Sequence, residues 1–86
     1  MIDSITEERI MILIDEKYGP YIRVSAWYDA TELEDVLLDN YNIYSYSISP
    51  NDLEVYGGKE FYFGSTADPE VLQRILDKIE FSRTNK

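Results

Sequence analysis

Residues 21–40, YIRVSAWYDATELEDVLLDN, decide how the rest of the chain is read. Their first eight positions alternate. Ile22, Val24 and Ala26 fall on one side, and Tyr21, Arg23, Ser25 and Trp27 on the other. A period of two is that of a strand with one buried face. The pattern then changes. Leu33, Val36 and Leu37 recur at helical spacing, the apolar stripe of an amphipathic helix. Asp29 or Thr31 is suited to cap it, with Glu32 or Glu34 three residues on, so two capping-box registers are open. The helix is expected to stop near Asn40.

Upstream, residues 9–15, RIMILID, hold three β-branched isoleucines in a short apolar run, which predicts a strand. A helix over 6–18 is the rival, with Glu7 and Glu8 in its first turn and Gly19 at its end. Crowding of β-branched side chains favours the strand. Tyr18-Gly19-Pro20 marks a turn.

Downstream, residues 43–49 set Tyr44, Tyr46 and Ile48 against Ser45, Ser47 and Ser49. That alternation predicts a strand with its tyrosine side toward the helices. Residues 57–65, GGKEFYFGS, hold another strand, with Phe61 and Phe63 on one face and Tyr62 on the other. Gly57-Gly58 suits a type I′ turn, which would pair 53–56 with 59–62 as a short extra strand. Asp68-Pro69-Glu70 combines a cap, a proline at the first helical position and an acid for the dipole. Val71, Leu72, Ile75, Leu76 and Ile79 then form the second apolar stripe. Residues 1–7 and 82–86 are expected to be loose.

The halves echo each other at an offset of 39: Asp29 matches Asp68, Leu33, Val36 and Leu37 match Leu72, Ile75 and Leu76, and Ile22 and Val24 match Phe61 and Phe63. The expected product is an α+β two-layer sandwich in ββαββα order. Its antiparallel sheet has four strands, or five with the extra hairpin, and both helices cover one face.

The chain has 86 residues, the length of one domain. It contains no cysteine and no histidine, which excludes disulfides, thiolate metal sites and the commonest general base. No phosphate loop, dinucleotide fingerprint or nucleophile elbow is present, so a non-enzymatic protein without cofactor or metal is expected. Acids outnumber bases 17 to 8, for a net charge of −9. That balance disfavours direct nucleic-acid binding and anionic membrane, and it favours a basic protein partner. The apolar run at 10–14 is too short for a membrane span or a signal segment, and a cytoplasmic location is the default.

Two surfaces are candidates for binding. If Ile22, Val24, Ala26, Phe61 and Phe63 point at the helices, the open sheet face holds Tyr21, Arg23, Trp27 and Tyr62. Met11 and Leu13 join it if Ile10, Ile12 and Ile14 face the helices. Aromatic, Arg and Met side chains are the composition of an interface core. The plain alternative is that these side chains, or a loop, cover one another. The second surface is acidic. No Lys or Arg occurs between Arg23 and Lys59, and the interval carries seven acids. Glu32, Asp35 and Asp39 share one outward stripe of the first helix, with Tyr41 at its exit. A solvated face would explain this stripe, and so would a contact for a basic partner.

The leading expectation is a small acidic protein-binding module, an inhibitor or neutraliser of a basic protein that acts by non-covalent occlusion. Immunity proteins, antitoxins and phage anti-defence proteins are of this functional type, and the likeness is one of size and charge. The alternative is a homodimeric sensory or scaffold domain that associates through its open sheet face and takes a small ligand at the seam.

Overall fold

The computed structural model describes residues 1–79, so the expected loose tail at 82–86 lies outside the described residues. The fold is mixed α+β, with a four-stranded antiparallel open sheet and helices. In chain order the elements are β1 (Leu13–Asp15), β2 (Gly19–Ala26), α1 (Trp27–Tyr41), β3 (Tyr46–Ile48), a 3-10 helix (Asn51–Tyr56), β4 (Gly57–Tyr62) and α2 (Pro69–Lys78). The strand order is β1-β2-β4-β3, so β2 and β4 form the central pair.

The core follows from the alternation of β2. Ile22 and Val24 are fully buried. They join Phe61 of β4, Leu33 and Leu37 of α1, and Leu76 of α2 in one cluster. Ile22 lies directly opposite Phe61, so two positions related by the 39-residue echo meet at the centre. Asp68 caps α2 as expected, its carboxylate accepting from the amides of Glu70 and Val71.

The first strand is shorter than the run 9–15 suggests. Only Leu13–Asp15 pairs with β2. Upstream, Gln73 of α2 takes over the backbone: its Oε1 accepts from Ile12 N at 2.8 Å and its Nε2 donates to Ile10 O at 3.2 Å. Ile10 N donates to Met1 O. Ile10 is buried and Ile12 packs against the core; Ile14 pairs with Pro20, on the Ile22 side of β2, but lies at the margin of the sheet and is 63 % exposed. The rival helix over 6–18 is absent from the structure.

Residues 1–7 are tied down rather than loose. Met1 and Asp3 are buried. The segment folds back on itself through Asp3 N to Glu8 O and Glu7 N to Asp3 O. The Asp3 carboxylate accepts from Ile5 N, Thr6 N and, on β2, Ser25 N. Burial opposes its charge, but these amides outweigh the burial and hold its pKa below the ordinary value.

α1 begins two residues before Asp29, with Ala26 as an extended N-cap that lacks a side-chain cap. Neither expected capping register is used. Asp29 is instead fully buried within the first turn, where its carboxylate accepts from Ser4 N at 2.9 Å and Ser4 Oγ at 2.8 Å. The helix ends on Asn42 in the left-handed conformation, its N–H directed at Leu38 O and Leu37 O, an ending that Asn supports.

Two further expectations are corrected in the β3–β4 region. Residues 53–56 are not a strand but part of the 3-10 helix, and Gly57 ends that helix with φ 72° instead of opening a hairpin turn. β3 is also turned over. Ser47 pairs with buried Phe61, and Tyr46 pairs with Tyr62. Cross-strand partners share a face, so Tyr46 and Ile48 lie opposite the core, and Tyr44 and Tyr46 are 72 % and 71 % exposed.

Candidate functional site

The sheet face opposite Phe61 is built by register. Leu13 pairs with Tyr21, Tyr21 with Tyr62, Arg23 with Glu60, and Tyr46 with Tyr62. Of the residues expected there, Leu13, Tyr21, Arg23 and Tyr62 are present. Exposed Met11 joins Leu13, Arg23 and Leu53 around a hollow of about 290 Å³. Sequence reasoning missed Tyr18, Tyr46 and Ile48, which with Lys17 and Tyr62 line a second hollow of about 600 Å³. The alternation within 43–49 held the signal that Tyr46 and Ile48 share a side, but not which side.

Much of this face is self-satisfied. Tyr21 stacks on Tyr62 with centroids 5.0 Å apart, and Tyr18 meets Tyr62 edge-on at 6.0 Å. The 3-10 helix brings Asp52 to Arg23, whose guanidinium also lies 3.3 Å from Glu60. The hydrogen bond from Arg23 holds Asp52 below the ordinary carboxylate range. Glu60 in turn accepts from Tyr62 Oη at 2.8 Å, which is the main reason the phenol is pushed up to about 12. Arg23 is thus an internal tie between β2, β4 and the 3-10 helix.

Trp27 is not on the sheet face. It is the first residue of α1, 60 % exposed, and it packs edge-on against Tyr28. A Cβ placed on Gly57 would lie 3.0 Å from Trp27 Cβ, so the indole sits beside the end of the 3-10 helix, where Val55 and Tyr56 are exposed.

The exposed surface of α1 divides into two adjoining rows. Buried Ala30, Leu33 and Leu37 mark its core side. Glu32, Asp35 and Asp39 recur at three and four residues; Asp35 and Asp39 are exposed and Glu32 is half-buried. Trp27, Thr31, Glu34, Leu38 and Tyr41 recur at four, three, four and three, and all are exposed. An acidic row therefore runs beside a row with Trp27, Leu38 and Tyr41 as its apolar members. No Lys or Arg of the helix interrupts either row. Tyr41 is the last helical residue, at the far end from Trp27.

Among the described residues no group of His, Cys, Asp and Glu is arranged to hold a metal ion, and no helix is long and apolar enough to cross a membrane. Compared with family models, curated proteins and solved structures, the chain finds no match in any of the three.

Proposed function

We propose that this protein is a small, non-enzymatic binding module that neutralises a basic protein in the cytoplasm, by covering part of its partner with the outward face of α1. On this reading the two helices share one layer against the Ile22–Phe61 face of the sheet, a two-layer sandwich that presents α1 as a rigid rod. The observation that carries the proposal is the pairing of rows on that rod. Glu32, Asp35 and Asp39 lie beside Trp27, Leu38 and Tyr41, on a helix with no cation of its own. Charge steers a basic partner and fixes its orientation. Desolvated aromatic anchors supply most of the holding energy at such contacts. Immunity proteins, antitoxins and phage anti-defence proteins are the functional type this reading points to, by size and charge, and occlusion requires neither cofactor nor metal.

The open sheet face supports a dimer-forming sensory or scaffold role less well. Trp27 is absent from it, Arg23 is engaged by Asp52 and Glu60, and Tyr21 is stacked on Tyr62.

The test uses the wild-type chain and the Glu32→Lys/Asp35→Lys/Asp39→Lys variant as parallel baits in cells of the native host. A basic protein retained by the first and lost by the second is the expected result. Its purified association rate should then fall by about 10- to 100-fold at low salt with the variant, and the difference should narrow as salt rises. An unchanged rate for the captured partner removes the acidic row from the mechanism.

A further inference from the structure

The two edges of the sheet are guarded unequally. β1 and β3 are the outer strands. β1 ends in Asp15 and runs directly into Glu16 and Lys17, and charges of this kind discourage another strand from adding. β3 has no such guard of its own. It lies within residues 40–51, the longest run in the chain without a charged side chain. Residues 43–49 also contain no proline. Tyr44 and Tyr46 are largely exposed to solvent, beside exposed Ile48. From β4, Lys59 reaches only the far end of this segment, where it donates to Ser49.

We propose that β3 is a homotypic pairing edge, through which two copies of this chain join antiparallel about a twofold axis at Tyr46 to make one continuous sheet. This goes beyond the role assigned to α1 and does not depend on it. Charge permits a second copy as the occupant, and residue order selects it. Each copy carries −9, so two copies approach most easily through a stretch with no acids. A basic partner gains nothing electrostatic from that same neutral edge.

The residue order is also self-complementary. A twofold axis at Tyr46 sets Ser45 opposite Ser47 and Tyr44 opposite Ile48 in both directions. Aromatic and β-branched residues are favourable cross-strand partners. The serines meet on the core side of the sheet, where their small side chains let the strands approach. Such a contact is isologous, with the same patch used by both copies. Because only β3 is unguarded, assembly stops at two. Association lengthens β3 from Tyr46–Ile48 toward the whole alternating segment 43–49. A seven-residue strand pair spans only about 24 Å, which places the contact among small, micromolar-range interfaces.

Sedimentation equilibrium of the full chain, from low micromolar to millimolar concentration, tests this directly. The wild type should pass from monomer to dimer and no further. Tyr46→Lys sets two ammonium groups opposite each other and should weaken dimerisation by at least about tenfold. Tyr46 is so exposed that circular dichroism should show the fold intact. Leu13→Lys, the matching change near the β1 edge, should leave the dimer unchanged. Hydrogen exchange should report amides of residues 44–48 that gain protection as concentration rises. A monomer at all concentrations overturns the proposal. So does a dimer indifferent to Tyr46→Lys, equal sensitivity to Leu13→Lys, or growth beyond two copies. α1 is untouched in these variants, so their outcome is separate from that of partner binding.

Discussion

Replacing Asp3 by Asn tests how the N-terminal segment is held. Asp3 is buried, and its two carboxylate oxygens divide the work. Oδ1 accepts from Ile5 N at 2.9 Å and Thr6 N at 3.0 Å, and Oδ2 accepts from Ser25 N at 3.0 Å. Asparagine keeps one oxygen and turns the other into a donor. Either the amide of Ser25 or those of Ile5 and Thr6 then face an NH₂ group. Hydrogen bonds to a charged acceptor contribute about 1.5–3 kcal/mol each, and a stranded buried donor costs about 1–3 kcal/mol. The expected loss is about 2–4 kcal/mol, a large fraction of the 5–10 kcal/mol or so that a domain of this size holds. Urea unfolding at neutral pH should show this as a lower midpoint with an unchanged slope.

The pH dependence sharpens the test. The folded-state pKa of Asp3 lies below the ordinary 3.8. Its contribution is therefore complete above that value and is lost as pH falls through the lower folded one. The gap between wild type and Asp3→Asn should narrow in strong acid, where the wild-type carboxylate is protonated. A loss below about 0.5 kcal/mol at neutral pH, which is within the usual range for inert surface changes, would refute the assignment. A gap that stays constant into strong acid would refute it equally.

Two further outcomes test the centre of the sheet and its open face. Gly58→Ala places a Cβ 2.4 Å from Val24 O and 2.6 Å from Ser25 O, so the central β2–β4 pair must part. A loss of at least about 3 kcal/mol is expected, the upper end of overpacking because the obstacle is backbone, and a change under about 1 kcal/mol by urea unfolding contradicts the close approach. Tyr62 should ionise near 12, late for a phenol, because its hydroxyl is bonded to Glu60. Its raised pKa contributes stability that is complete below about 10 and lost as pH rises through 12. Near-ultraviolet titration should show this late step, and Glu60→Gln should bring it back toward 10. A profile with no late step, or with a late step that Glu60→Gln leaves in place, counts against the Glu60 bond.

Local chemistry made some elements legible from the chain alone. Asp68, Pro69 and Glu70 specify the start of α2 within three residues, because capping needs only near neighbours. The alternation of Ile22, Val24 and Ala26 identified the buried side of β2, since those residues have no polar tip that would let them face water. The acidic row of α1 was legible too, because spacing along a helix places side chains without reference to the rest of the fold. Trp27 was not. It extends the strand alternation, but the backbone turns helical at that residue, and this moved the indole from the sheet to the head of the acidic helix.

What remained was decided by tertiary contacts. Period two in residues 43–49 determined that Tyr44, Tyr46 and Ile48 share a side, but tyrosine has an apolar ring and a polar tip and is at home on either face. The register of β3 against β4 made the choice by setting Ser47 beside Phe61 and Tyr46 beside Tyr62. Gly57-Gly58 likewise permits a hairpin, yet the 3-10 helix forms instead and carries Asp52 to Arg23. The sequence by itself determined which residues act together along each element. Only the packed structure decided which way each group faces, because that depends on partners distant in the chain.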